Sequence, residues 1–138
     1  MDSIPIRILI VEDNPDDEAL LLRQLKKAQL DSHVRIIADG GTALAYLRDE
    51  SVKSEDLITV FLDLQLPGVS GLQLLEAIRS QERTRHLPVV LMTSSNAPEE
   101  INRGRDLGAA FVPKPVTYST FTKAVADSFH SHNRAAAN

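Results

Sequence analysis

The chain has 138 residues, a net charge of -4 and no cysteine. One domain of this length buries its own apolar core, and the missing thiols exclude a disulfide framework, a thiolate nucleophile and a Cys-type zinc site. The charge balance, with no Lys/Arg stripe, argues against nucleic acid. No run approaches the roughly 20 apolar residues needed to span a bilayer, so a cytoplasmic protein with no membrane partner is expected.

Apolar runs of strand length occur at Ile6–Val11, Val34–Ala38, Leu57–Leu62, Val89–Met92 and Ala109–Val112, separated by segments with helical spacing. After the first strand, Asn14 reads as an N-cap and Pro15 as the first helical residue. Asp16, Asp17 and Glu18 then form a first turn favoured by the helix dipole, and the helix continues to about Gln29. The second helix follows Gly40-Gly41 and stops before a polar loop from Asp49 to Asp56. Ser70-Gly71-Leu72-Gln73 fits a capping box, with Leu72, Leu75 and Ile78 on one face of a third helix. A fourth starts near Asn96-Ala97-Pro98-Glu99 and is closed by Gly108; Gly104 in its interior costs about 1 kcal/mol relative to Ala, so this helix is expected to be loosely held. The last spans about Thr117 to His130. The domain is expected to cover residues 1–132, with 133–138 as a flexible tail.

Five strand–helix alternations with near-continuous apolar strands predict an α/β fold, a doubly wound five-stranded parallel sheet with helices on both faces. Ligands of such sheets gather beyond the carboxyl ends of the strands. Those ends carry Glu12-Asp13, Asp39, Asp63, Thr93-Ser94-Ser95 and Lys114. Asp16 and Asp17 are accounted for as helix-start residues, whereas Glu12 and Asp13 precede the cap. If the first and third strands are neighbours, Asp63 joins them, and three carboxylates of like charge require a cation. Oxygen ligands alone suit Mg2+. Taken singly, each acid is explained as a solvated strand-end residue.

Five landmarks in order, "VED", "LDLQLPGVSG", "LMTS", and Phe111 and Lys114-Pro115 within "FVPKP", make the sequence resemble the receiver domains of response regulators in two-component phosphorelays. The resemblance covers essentially the whole chain and implies the flavodoxin-like strand order 2-1-3-4-5. It implies that Asp63 accepts a phosphoryl group from a sensor histidine kinase. It assigns Mg2+ to Asp13, Asp63 and the Gln65 carbonyl, with Glu12 acting through a metal-bound water. Thr93 and Lys114 would bind phosphoryl oxygens, and the Lys114-Pro115 bond would be cis. Phe111 stands where many relatives carry tyrosine, so switching would use ring packing.

Gln65 and Ser95 would border the path of attacking water. Pro113 suits only an edge strand or a strand end. The four histidines show no metal-ligand spacing. No output module follows, so the expected protein is a single-domain phosphoacceptor, not an enzyme acting on other substrates, that signals to a downstream protein through a surface contact. The "VEDNPDD" opening is similar to regulators paired with phytochrome-type kinases, and the edge strand makes the face around it a candidate for homodimerisation. A haloacid-dehalogenase-type phosphatase would need a second acid two residues after Asp63, where Gln65 stands. A degenerate receiver would lack one of Asp13, Asp63 and Lys114, and all are present.

Overall fold

The computed structural model describes residues 6–52, 56–94 and 97–137. Its strands are β1 (Ile8–Val11), β2 (Val34–Ile37), β3 (Thr59–Asp63), β4 (Val89–Thr93) and β5 (Ala110–Pro113). Its helices are α1 (Pro15–Lys27), α2 (Gly40–Arg48), α3 (Gly71–Ser80), α4 (Pro98–Asp106) and α5 (Tyr118–Ala137). The strands form one parallel sheet in the order β2-β1-β3-β4-β5, as the resemblance implies.

Strands buried on both faces need no polar alternation, and side chains leave them on opposite sides. Leu9, Val11, Val60, Leu62 and Leu91 therefore point to one layer, with Leu47 of α2 and Leu74, Leu75 and Ile78 of α3. Ile8, Ile10, Phe61, Val90 and Met92 point to the other, with Leu21 and Leu25 of α1 and Phe121 of α5. Phe61 and Phe121 stack with ring centroids 5.4 Å apart. A buried hydrogen bond of 3.0 Å between Ser128 Oγ and Thr59 Oγ1 fixes α5 against β3.

Local chemistry starts α1 and α3 as expected, whereas α2, expected to follow Gly40-Gly41, already begins at Gly40. Asn14 Oδ1 accepts from the backbone N–H of Asp16 and Asp17 at 2.9 and 3.1 Å. Ser70 and Gln73 close the capping box reciprocally. The apolar face of α3 includes fully buried Leu74, while Leu72 is only half-buried.

Two expectations need correction. Gly104 is not slack: a Cβ there would lie 2.6 Å from Phe111 Cζ and 2.8 Å from Leu91 Cδ1, so the glycine lets α4 approach β4 and β5. The helix α5 also runs past His130 to Ala137, so residues 133–137, expected as a tail, are helical; three consecutive alanines favour this. The expectations for Ser95 and for Asn96 at the start of α4 fall outside the described residues.

Candidate functional site

The sheet register brings the predicted residues together. Val11 pairs with Leu62, so Glu12 and Asp13 lie beside Asp63 at the same rim. Thr93 ends β4 and pairs with Pro113, and the Lys114 N–H donates to the Thr93 carbonyl at 3.0 Å. Pro113 sits at the end of the edge strand, where its missing donor leaves no gap in the ladder. The Lys114-Pro115 bond is cis. Gly71 helps shape the rim: a Cβ there would lie 2.9 Å from Leu64 Cα, so only glycine lets the start of α3 close onto the end of β3.

A cavity of about 620 Å³ opens there, lined by Asp13, Asp63, Gln65, Thr93 and Lys114 among others. Lys114 Nζ donates to Asp63 Oδ2 at 2.8 Å and to Asp17 Oδ2 at 2.9 Å. The same ammonium lies 2.8 Å from Glu12 Oε1 but out of line for a hydrogen bond, so that buried oxygen is held by charge alone. The Gln65 N–H donates to Asp63 Oδ1 at 3.0 Å and the Asn14 N–H to Glu12 Oε2 at 3.2 Å.

Asp17 thus does more than start α1. Its sequence context explained it fully as a helix-dipole residue, and nothing local signalled that the lysine 97 positions away would reach it. Asp39 goes the other way. It caps α2 by accepting from the Thr42 N–H at 2.7 Å and the Thr42 hydroxyl at 2.8 Å, and it takes no part in the cluster.

Glu12 is fully buried and Asp63 nearly so, while Asp13 is exposed. One carboxylate oxygen from each lies within 4.8 Å of the others. Burial, then the Asp63 carboxyl beside it, pushes the Glu12 carboxyl up to about 7 against the pull of Lys114 and the Asn14 N–H. Burial disfavours the Lys114 ammonium, but its contacts with Asp63, Glu12 and Asp17 outweigh that and raise its pKa. Three carboxylates around one half-buried lysine remain over-supplied with negative charge. The all-oxygen donor set of Glu12, Asp13 and Asp63 and the Glu12 oxygen without a hydrogen bond fit a hard divalent cation.

The family profile described as the response regulator receiver domain matches residues 8–126. The chain belongs to this family, whose members carry signals in two-component phosphorelays. Among solved structures it is similar to the bacteriophytochrome response regulator AtBRR, at 42% identity and a TM-score of 0.74 over 89% of this chain and 91% of that one. It is also similar to the bacteriophytochrome response regulator RtBRR, at 36% and 0.76 over 90% and 78%. The probable methanogenesis regulatory protein FilR2 of Methanothrix harundinacea is 32% identical over 123 residues, 88% of this chain and 79% of that protein. The chain spans only 23% of a probable cyclic di-GMP phosphodiesterase of Vibrio cholerae that it matches at 33% identity. Among the described residues no helix is long and apolar enough to cross a membrane.

Proposed function

We propose that Asp63 is the phosphoacceptor and that Glu12, Asp13, Gln65, Thr93 and Lys114 serve its phosphorylation. The observation that carries this reading is the ammonium of Lys114 at 2.8 Å from Asp63 Oδ2, facing a rim of oxygen ligands.

Phosphoryl transfer depends on alignment and charge neutralisation more than on covalent help from the protein. An Asp63 carboxylate oxygen forms the new bond to phosphorus as the P–N bond of a kinase phosphohistidine breaks, and the departing imidazole takes up a proton. Lys114 is already on the carboxylate and follows the charge onto the phosphoryl oxygens. The Gln65 N–H holds the other carboxylate oxygen and so fixes the plane of attack. Thr93, at the cavity wall, supplies a hydroxyl donor to a phosphoryl oxygen. Asp13, Asp63 and the Gln65 carbonyl would hold Mg2+, with Glu12 acting through water. When bound, the metal neutralises charge on the acids and the transferred group.

The chain turns over no other substrate in this reading; it catalyses its own phosphorylation and dephosphorylation. The likeness to two bacteriophytochrome response regulators favours a phytochrome-type histidine kinase in the cytoplasm as donor. The signal then leaves through the surface of α4, β5 and α5 to a protein partner, and the edge strand β5 makes the same face the candidate for homodimerisation. Incubation with Mg2+ and acetyl phosphate tests the site. The intact mass should rise by one phosphoryl group only when Mg2+ is present, and Asp63→Asn should gain none. Uptake by that variant at the normal rate would refute the assignment.

A further inference from the structure

A second cavity, of about 600 Å³, lies between α1 and α5 near the amino ends of β1 and β3. The carboxylate rim stands at the opposite end of those strands. Ile8, Ile58 and Phe121 are buried at its base, and half-buried Leu30 and Val125 form part of its lining. Volume and apolar lining fall within the range of small-molecule sites, about 300–1,000 Å³ with a few polar groups to orient the ligand.

Among its described lining residues the one permanently charged side chain is the guanidinium of Arg7. His33, His130 and Thr122 supply its other polar groups, and none of the described lining residues is acidic. The surroundings of the Asp63 site are the reverse, rich in carboxylates. A cavity whose walls are hydrocarbon and whose cationic group is guanidinium suits a molecule with an apolar body and an anionic head. The shape of that body follows from the lining. Among the described lining residues Ile8, Ala28, Leu30, Ile58, Val125 and Ala126 are aliphatic, and the Phe121 ring is already stacked on Phe61. Aliphatic walls accommodate a flexible alkyl chain. We infer that the α1–α5 cavity binds the alkyl chain of a fatty carboxylate, with the carboxylate paired to Arg7 and flanked by His130. The site is separate from Asp63 and does not rest on the role proposed for that residue.

Titration of the 15N-labelled protein with dodecanoate below its micellar range, followed by amide shifts, tests the inference. Saturable one-to-one binding should move residues 28–33 and 122–130 and leave residues 12–17 in place. Arg7→Gln should weaken dodecanoate at least several-fold while leaving dodecanol unchanged, which separates loss of the ion pair from loss of fold. Val125→Trp, which fills the cavity from its side, should abolish both. Absence of saturable binding, shifts confined to other surfaces, or equal weakening of dodecanoate and dodecanol by Arg7→Gln would overturn the inference. So would occupation of the cavity by the chain's own first residues, seen as nuclear Overhauser contacts from Ile4 to Val125.

Discussion

The Phe111 ring rests on Gly104: an added Cβ at the glycine would approach Phe111 Cζ to 2.6 Å. An exposed helical glycine gains about 1 kcal/mol on replacement by alanine, but forcing a methyl into a packed contact costs about 1–3 kcal/mol. Gly104→Ala should therefore be destabilising by about 1 kcal/mol in urea denaturation. Phe111→Leu, which shortens the nearest obstructing side chain, should remove part of that cost in the double variant, with Leu91 Cδ1 still 2.8 Å from the methyl. A more stable Gly104→Ala protein would show that α4 is as slack as its sequence suggested.

Lys114 is the one cation within 3 Å of Glu12, Asp17 and Asp63 among the described ion pairs. Removing one partner from a buried ionic cluster costs about 3–5 kcal/mol. Lys114→Met should fall near the lower limit, because Glu12 takes up a proton instead of remaining charged. Millimolar Mg2+ should recover part of the loss in a thermal melt, and unchanged stability of the variant without metal would contradict the clamp.

Asp13 and Asp17 should separate metal binding from lysine positioning. Asp13→Asn removes an exposed rim oxygen and should sharply weaken Mg2+ in a calorimetric titration. Asp17→Asn should leave Mg2+ affinity within a few-fold, while slowing phosphorylation through looser placement of Lys114 and costing about 0.3–1 kcal/mol at the helix start. Equal losses of metal affinity in the two variants would refute this division. At 100 times its dissociation constant, Mg2+ should stabilise the native protein by about 2.7 kcal/mol.

The raised Glu12 carboxyl fixes a pH dependence for the metal-free protein. Its folded value of about 7 lies above the ordinary 4.5, so the folded state holds its proton more tightly than the unfolded chain does. Stability linked to that proton is fully present below about 4.5 and is lost as pH rises towards 7. Urea midpoints measured in chelator should fall across this window, and Glu12→Gln should flatten the slope. A midpoint rising through the window with unchanged slope in the variant would be inconsistent with a buried acid.

Phosphate at Asp63 should draw Thr93 and Lys114 towards it and shift the ensemble of α4, β5 and α5 by contacts present only in that state. Hydrogen exchange with beryllofluoride as the phosphoryl mimic should change across residues 97–121. Protection limited to the neighbours of Asp63 would contradict that route.

Much of this site is legible in the sequence because each member ends a strand or lies just beyond one, and a parallel sheet collects strand ends at one rim. Asn14, Pro15 and the Ser70–Gln73 box are equally readable, since capping depends on residues two or three positions apart. Asp17 escaped because its local role was sufficient, and its second partner is set by tertiary packing. Gly104 escaped for a similar reason. Its helix propensity is a local property, while the ring beneath it comes from another element. Nor did any periodicity reveal the α1–α5 cavity, whose lining is drawn from four separate segments of the chain.

Borohydride trapping of the acetyl phosphate-treated protein tests whether Asp63 is the phosphoacceptor, because an aspartyl phosphate is reduced to homoserine at the residue that carried it. Peptide sequencing by mass spectrometry should place homoserine at position 63 and leave Asp13, Asp16 and Asp17 intact. Homoserine at one of those three positions, with Asp63 unmodified, would contradict the account.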